Sequence, residues 1–323
     1  MCTAVTYQTK DHYFGRTLDL EYSYNEQVVV TPRNFSWKFR AVEQMASHYA
    51  MIGMAMVAEN YPLYYEAANE HGLAMAGLNF PGNAHYFDKI PGKDNVTPFE
   101  FIPWILGQCK DLTEARGLLE KINLCNIPFS EEFPLSPLHW IIADCSGAIT
   151  VESMADGLKI HQNPVGVLTN NPPFDYHMTH LCDYLNLTHL PPENRFGNID
   201  LLPYSRGMGA IGLPGDLSSA SRFVRAAFVK LNSVSGEGEK ESISQFFHIL
   251  GSVEQQRGCA QMPDGRYEIT HYTSCINTDK GIYYYTTYDN SCISAVNMRI
   301  CDLDGTALHV YPLEKNQIVN RQN

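Results

Sequence analysis

The chain has no Cys-x-x-Cys pair, no run of about 18 apolar residues, no excess of positive charge and no linker rich in proline or glycine. Each absence removes a class of explanation. The nine cysteines, at positions 2, 109, 125, 145, 182, 259, 275, 292 and 301, are odd in number and scattered. They read as reduced thiols, not as a disulfide framework or a zinc site, which points to a cytoplasmic setting. The N-terminus lacks a basic segment followed by an apolar run, so no secretory signal is expected. A net charge of −12 argues against nucleic acid as a partner and leaves no basic patch for an anionic membrane.

What is present suffices for a large core: 323 residues, 44% of them hydrophobic. Length alone suggests about two domains. No composition shift divides the chain, however, and the longest polar stretch, Ser233 to Ser244, reads as an exposed loop between helices. The expectation is one domain, 1–323. Strands are expected at 2–7, 27–31, 51–58, 73–79, 139–144, 148–153, 165–169, 268–277, 281–288 and 292–299, the last three forming an antiparallel meander. Helices are expected at 99–108, 112–122, 175–187, 219–231 and 243–255. Asp111 with Glu114 and Ser242 with Gln245 are in capping-box register for two of them. Hairpin-rich strands with grouped helices indicate an α+β fold of antiparallel sheets covered by helices.

Cys2 carries the chemistry. Methionine aminopeptidases remove Met1 when the next side chain is small, and the mature chain then opens with a thiol and a free α-amine on one residue. An α-amine has a pKa of roughly 7.7 to 8.0 and a thiol roughly 8.5, so near neutrality the amine can accept the thiol proton without a histidine. Nucleophile and base then come from the same residue. Arg16 and Asp19 follow the first strand, three residues apart. Arg16 can favour a thiolate by proximity, and Asp19 can accept a hydrogen bond from the amine and aim its lone pair. Three residues along a straight strand point to opposite faces, so service to one site requires a turn or bulge between them. A buried structural cysteine and a surface ion pair are the plain alternatives for these residues.

Six ordered segments carry a resemblance. They are Met1-Cys2-Thr3-Ala4, Phe14-Gly15-Arg16 with Leu18-Asp19, Ala76-Gly77-Leu78-Asn79-Phe80-Pro81, Val167-Leu168-Thr169-Asn170-Asn171-Pro172, Gly212-Leu213-Pro214-Gly215-Asp216 and Ser221-Arg222-Phe223. Over essentially its whole length the chain resembles the conjugated bile acid hydrolases (choloylglycine hydrolases). Penicillin V acylases share the scaffold but usually carry tyrosine where this chain has Asn79.

The resemblance implies the four-layer αββα sandwich of N-terminal nucleophile hydrolases and a catalytic set of Cys2, Arg16, Asp19, Asn79, Asn170 and Arg222. Asn79 and Asn170 would receive the negative oxygen of the tetrahedral intermediate, where each pre-placed donor is worth a few kcal/mol. Read without the resemblance, both asparagines are equally turn residues near proline. Arg222 sits in the first turn of a helix beginning near Ser218, where the macrodipole disfavours a cation, and Asp216 can offset this. The implied reaction is hydrolysis of glycine- or taurine-conjugated bile salts, such as glycocholate and taurocholate, through a thioester. Neither a metal nor an organic cofactor is called for. A homotetramer is also implied. An acidic protein with anionic substrates needs local positive charge at the mouth of its site, for which Arg16 and Arg222 are candidates. Alternatives are penicillin V or N-acyl homoserine lactone acylase chemistry, or a non-catalytic steroid-binding protein.

Three motifs carry less. Gly207-Met208-Gly209-Ala210-Ile211-Gly212 matches the dinucleotide fingerprint in letters but lacks a convincing strand before it and a helix after it. His177 and His180 share a helix face without a third metal ligand. Tyr61, Tyr64 and Tyr65 form an aromatic cluster of the kind usually found in cores.

Overall fold

The computed structural model describes residues 1–323. The strands are β1 (Cys2–Gln8), β2 (His12–Leu20), β3 (Gln27–Thr31), β4 (Met51–Ala58), β5 (Tyr61–Asn69), β6 (Ala74–Asn79), β7 (Asp94–Val96) and β8 (Ile122–Leu124). They continue with β9 (Leu138–Asp144), β10 (Gly147–Met154), β11 (Gly157–Gln162), β12 (Val167–Leu168), β13 (Ile269–Asn277), β14 (Ile282–Thr287), β15 (Asn290–Asn297) and β16 (His309–Pro312). The helices are α1 (Phe101–Leu106), α2 (Leu112–Leu119), α3 (Phe174–Leu181), α4 (Ser219–Asn232) and α5 (Glu239–Gly251).

Two antiparallel sheets form the centre. One runs β12-β1-β2-β13-β14-β15, the other β11-β10-β9-β6-β5-β4-β3-β16. Helices α4 and α5 cover the first, α1 and α2 the second, giving the expected αββα order. No helix is long and apolar enough to cross a membrane.

A central strand of such a stack is buried on both faces and loses the alternation that marks a half-exposed strand. Strand β2 shows this: His12 to Asp19 are all buried, and no strand was expected there. Gly15 at its middle is required by close approach, since a Cβ there would lie 2.0 Å from the Ser274 carbonyl oxygen of β13. The irregularity expected between Arg16 and Asp19 exists in the partner strand. Leu18 pairs with Tyr272 and Asp19 with Thr270, so β13 carries the extra residue, His271. A second bulge shifts β4 against β5 at Met54/Ala55 and leaves Tyr65 unpaired.

Other boundaries move for local reasons. Helix α2 opens as expected, with the Glu114 N–H donating to Asp111 at 2.9 Å, but ends at Leu119 because Ile122–Leu124 pairs in parallel with β7. Helix α5 begins at Glu239, not Ile243. Gly238 is its N-cap residue, Glu241 reaches back to the Gly238 N–H at 3.1 Å, and Ser242 lies inside the helix. The charged tract expected to be loop is therefore partly a first helical turn, where acidic side chains suit the dipole. Helix α3 stops at Leu181 and tightens into a 3₁₀ turn through Tyr184.

Candidate active site

Four segments converge at the start of β1. In the β1–β2 hairpin Cys2 lies opposite Leu18 and Ala4 opposite Arg16. On the other side of β1, Ala4 faces Leu168 of β12, so Asn170, two residues further on, comes alongside Cys2. Asn79 ends β6 in the second sheet, and Arg222 projects from the first turn of α4.

The Asn170 side chain joins these parts. Its Oδ1 accepts from the Cys2 N–H at 2.8 Å and from Arg222 Nη2 at 2.7 Å, while its Nδ2 donates to the Asn79 carbonyl at 2.7 Å. Its own N–H goes to the Ser219 hydroxyl at 2.8 Å. One Nδ2 hydrogen remains for a ligand. Arg222 also donates from Nη1 to the Cys2 carbonyl at 2.5 Å and the Thr3 hydroxyl at 2.7 Å, and from Nε to the Leu217 carbonyl at 3.0 Å. Burial lowers its pKa, while Asp19, Cys2 and Glu268 act in the opposite direction. Asp216 sits at the start of α4, but the charges that favour the Arg222 cation are Asp19, Cys2 and Glu268. Asp216 takes the Ser218 N–H at 2.9 Å and the Ser221 hydroxyl at 2.5 Å, and these hydrogen bonds, those from Ser218 and Ser221 foremost, hold its carboxyl down to about 2.

Arg16 faces the space between the sheets. Its Nη1 donates to the Gly77 carbonyl at 2.5 Å and to the carbonyl of the bulged Tyr65 at 3.3 Å, and its Nε donates to Thr17 O at 3.2 Å. Glu66 lies 3.8 Å from Nε. Burial alone would lower the Arg16 pKa, but Cys2, Tyr272, Glu66 and Asp19 outweigh it and hold the guanidinium above its ordinary value. Arg16 and Arg222 are 1% and 0% exposed, so neither supplies the positive mouth expected for anionic substrates; both are spent on the site's interior.

Asp19 differs from expectation in what it holds. Its carboxylate accepts the Thr270 hydroxyl at 2.7 Å and the Thr17 hydroxyl at 3.0 Å. The terminal amine here belongs to Met1, one residue beyond Cys2, and it donates to the Asp19 main-chain carbonyl at 2.5 Å and to Glu268. The Asp19 N–H in turn donates to the Met1 carbonyl at 3.0 Å. Removal of Met1 would free all three Asp19 and Glu268 groups.

Several residues at the site escaped sequence reasoning. Glu66 is fully buried, takes the hydroxyls of Tyr272 at 2.8 Å and Tyr283 at 2.5 Å, and has its carboxyl raised by burial against the pull of Arg16. Its signal in sequence was an acid inside Tyr64-Tyr65-Glu66-Ala67-Ala68. The three weaker motifs resolve plainly. Gly207–Gly212 holds a single 3₁₀ turn with no strand before it. His177 donates to the Asn170 carbonyl at 2.8 Å while His180 faces Asp183. Tyr64 belongs to the core under β5, with Tyr61 packed against the same cluster and Tyr65 against the other one.

Known proteins of one family are similar to this chain along nearly its whole length. The family described as linear amide C–N hydrolases, choloylglycine hydrolase family, matches residues 2–311. A bile salt hydrolase/transferase from Lactiplantibacillus plantarum is 57% identical over 97% of both chains, and one from Clostridium perfringens is 38% identical over 100% of both. Among solved structures, the C2A mutant of the Clostridium perfringens conjugated bile acid hydrolase superposes with a TM-score of 0.92 over 100% of both chains, at 38% identity. Penicillin V acylase from Agrobacterium tumefaciens shares the fold, with a TM-score of 0.77 at 21% identity over 98% of this chain and 93% of that one.

Proposed function

Because the chain belongs to the choloylglycine hydrolase family of linear amide hydrolases, we propose that it cleaves the amide of glycine- or taurine-conjugated bile salts with Cys2 as nucleophile, after loss of Met1. The observation that carries the residue assignments is the position of Asn170. One side chain touches the Cys2 nitrogen, Arg222 and the Asn79 carbonyl.

The chemistry follows from that contact. With Met1 gone, the nitrogen that now donates to Asn170 Oδ1 becomes the α-amine. One of its hydrogens stays on Asn170, which turns the lone pair toward the thiol of the same residue. The amine takes the Sγ proton and the thiolate attacks the amide carbonyl, whose oxygen gains charge against the free Nδ2 hydrogen of Asn170 and against Asn79. The amine returns the proton to the leaving glycine or taurine nitrogen. Water then attacks the thioester, again giving its proton to the α-amine, and cholate leaves. An amine in place of water would give acyl transfer, the second activity in the printed names of relatives. Arg16 ties the two sheets together through Gly77, while Asp19 and its threonine partners pin the end of β2 to the bulged β13 beside the amine.

Chain processing is the test. Protein whose N-terminal mass shows Cys2 first releases glycine or taurine from glycocholate or taurocholate. Cys2→Ser, or a chain that keeps Met1, loses activity by about a thousandfold or more. Full turnover with Met1 retained would overturn the assignment, and turnover of penicillin V alone would move the substrate class.

We propose further that the protein works in the cytoplasm as a homotetramer of single-domain subunits. Support comes from the stretch between α3 and α4, which exposes Leu185, Phe196, Leu202 and Tyr204 by 84%, 72%, 81% and 85%. Sedimentation should then show a tetramer that Leu202→Asp dissociates; an unchanged monomer in both would dismiss the assembly.

A further inference from the structure

We infer that the buried pair of His139 and Glu152 is a positioning device for the oxyanion hole, acting on Asn79 and Asn170 from below; this rests on the roles given to those asparagines above. Both residues of the pair are fully buried in the second sheet, His139 on β9 opposite Leu78 of β6, and Glu152 on the neighbouring β10. His139 Nε2 lies 2.9 Å from the Thr169 carbonyl, and Nδ1 lies 3.0 Å from Glu152 Oε1. A carbonyl only accepts, so Nε2 carries a hydrogen. Glu152 Oε1, which faces Nδ1, also accepts the Phe174 N–H at 3.0 Å.

The pair reaches both asparagines through their chain neighbours. The Phe80 ring lies flat on His139, with centroids 4.2 Å apart and planes 5° from parallel, and Phe80 follows Asn79 directly. Thr169, whose carbonyl His139 holds, precedes Asn170 directly. The next carbonyl, that of Asn170, is held at 2.8 Å by His177 from α3, the helix whose first N–H Glu152 receives. Two consecutive carbonyls are thus fixed by two imidazoles, and Glu152 ties one of those imidazoles to the helix that bears the other.

Stability does not explain this arrangement. Burying an acid and an imidazole pays no more than an apolar pair of equal volume would, because desolvation offsets the attraction. What it supplies is direction: a carbonyl held by a hydrogen bond fixes the peptide plane, and with it the amide of Asn170, more tightly than dispersion contacts do. A misplacement of about 1 Å in such a group can cost about a hundredfold in rate.

The experiment compares four variants in the processed enzyme by kcat and KM on glycocholate or taurocholate and by the rate of Cys2 alkylation with iodoacetamide. Asn170→Ala should lower kcat by about a hundredfold or more. His139→Leu should lower kcat by about tenfold or more with KM changed less than about twofold, and should slow alkylation as well, because Asn170 Oδ1 also holds the Cys2 amine. His139→Gln places an amide N–H where Nε2 stands and should restore most of the loss. Wild-type kcat in a folded His139→Leu, or no recovery in His139→Gln, overturns the inference while leaving the hydrolase reading intact. If Asn170→Ala is itself harmless, the oxyanion assignment fails and the positioning role fails with it. Should His139→Leu not fold, Glu152→Gln, equal in volume, decides by the same kcat criterion.

Discussion

Arg222 shows how much a single side chain holds at this site. Its fork spans the Cys2 carbonyl, the Thr3 hydroxyl, Asn170 Oδ1 and the Leu217 carbonyl, all from full burial. Lysine keeps the charge but has one nitrogen and cannot bridge acceptors lying in different directions. Arg222→Lys should therefore lower kcat by about a hundredfold and unfolding free energy by about 2–3 kcal/mol, measured by steady-state kinetics and denaturant titration; retention of both would show that charge alone suffices. At this scale the sequence disclosed the residues whose chemistry is unusual for their position: a thiol next to the terminus and a cation in the first turn of a helix. It did not disclose Glu66, Glu268 or the His139–Glu152 pair. Their importance comes from burial and from partners 13 to 267 positions away, which no local pattern records. It also misassigned the two arginines, because a cation near a site reads the same whether it faces solvent or carbonyl oxygens.

Among the elements, the existence of the helices and of the C-terminal meander was legible, and the Asp111 cap placed the start of α2, although the cap expected at Ser242 lies inside α5. Strand β2 was not, and it matters most, since it carries both Arg16 and Asp19. Burial on both faces removes alternation, and a glycine at position 15 reads as a break until its neighbour is known. The contact with Ser274 makes that glycine obligatory. A Cβ at 2.0 Å from a backbone oxygen cannot be relieved by a rotamer change; it must push β2 away from β13. Gly15→Ala should destabilise the fold by about 3 kcal/mol and shift Arg16 enough to depress activity in the protein that still folds. Thermal melts and residual turnover measure the two effects, and an unchanged melting temperature would refute the close approach.

At the level of the whole molecule, the sandwich takes two imidazoles out of water and keeps them neutral. His12, between the Thr6 hydroxyl at 2.5 Å and the Thr278 hydroxyl at 2.8 Å, and His177 under Asn170 are each brought down to about 4, chiefly by burial; Asp279 and Asp144 for His12, and the Asn170 carbonyl with Glu152 for His177, oppose this only in part. In the unfolded chain both titrate near about 6.5. Between these values the unfolded state binds protons that the native state refuses, so stability falls as pH falls from about 6.5 to about 4, by up to about 1.4 kcal/mol per pH unit for each histidine. Above about 6.5 neither contributes a slope. Buried Glu66 has its pKa raised by burial and therefore acts with the opposite sign, so the total curve mixes the two. The difference between wild type and His12→Gln isolates one imidazole, which lies at the far end of β2 from Arg16 and Asp19. Unfolding free energies from urea titrations between pH 7 and pH 4.5 should converge as pH falls, the variant losing about 1.4 kcal/mol less per pH unit than wild type below about 6. Parallel curves would mean that His12 takes up its proton equally in the folded and unfolded states, and that burial does not keep it neutral.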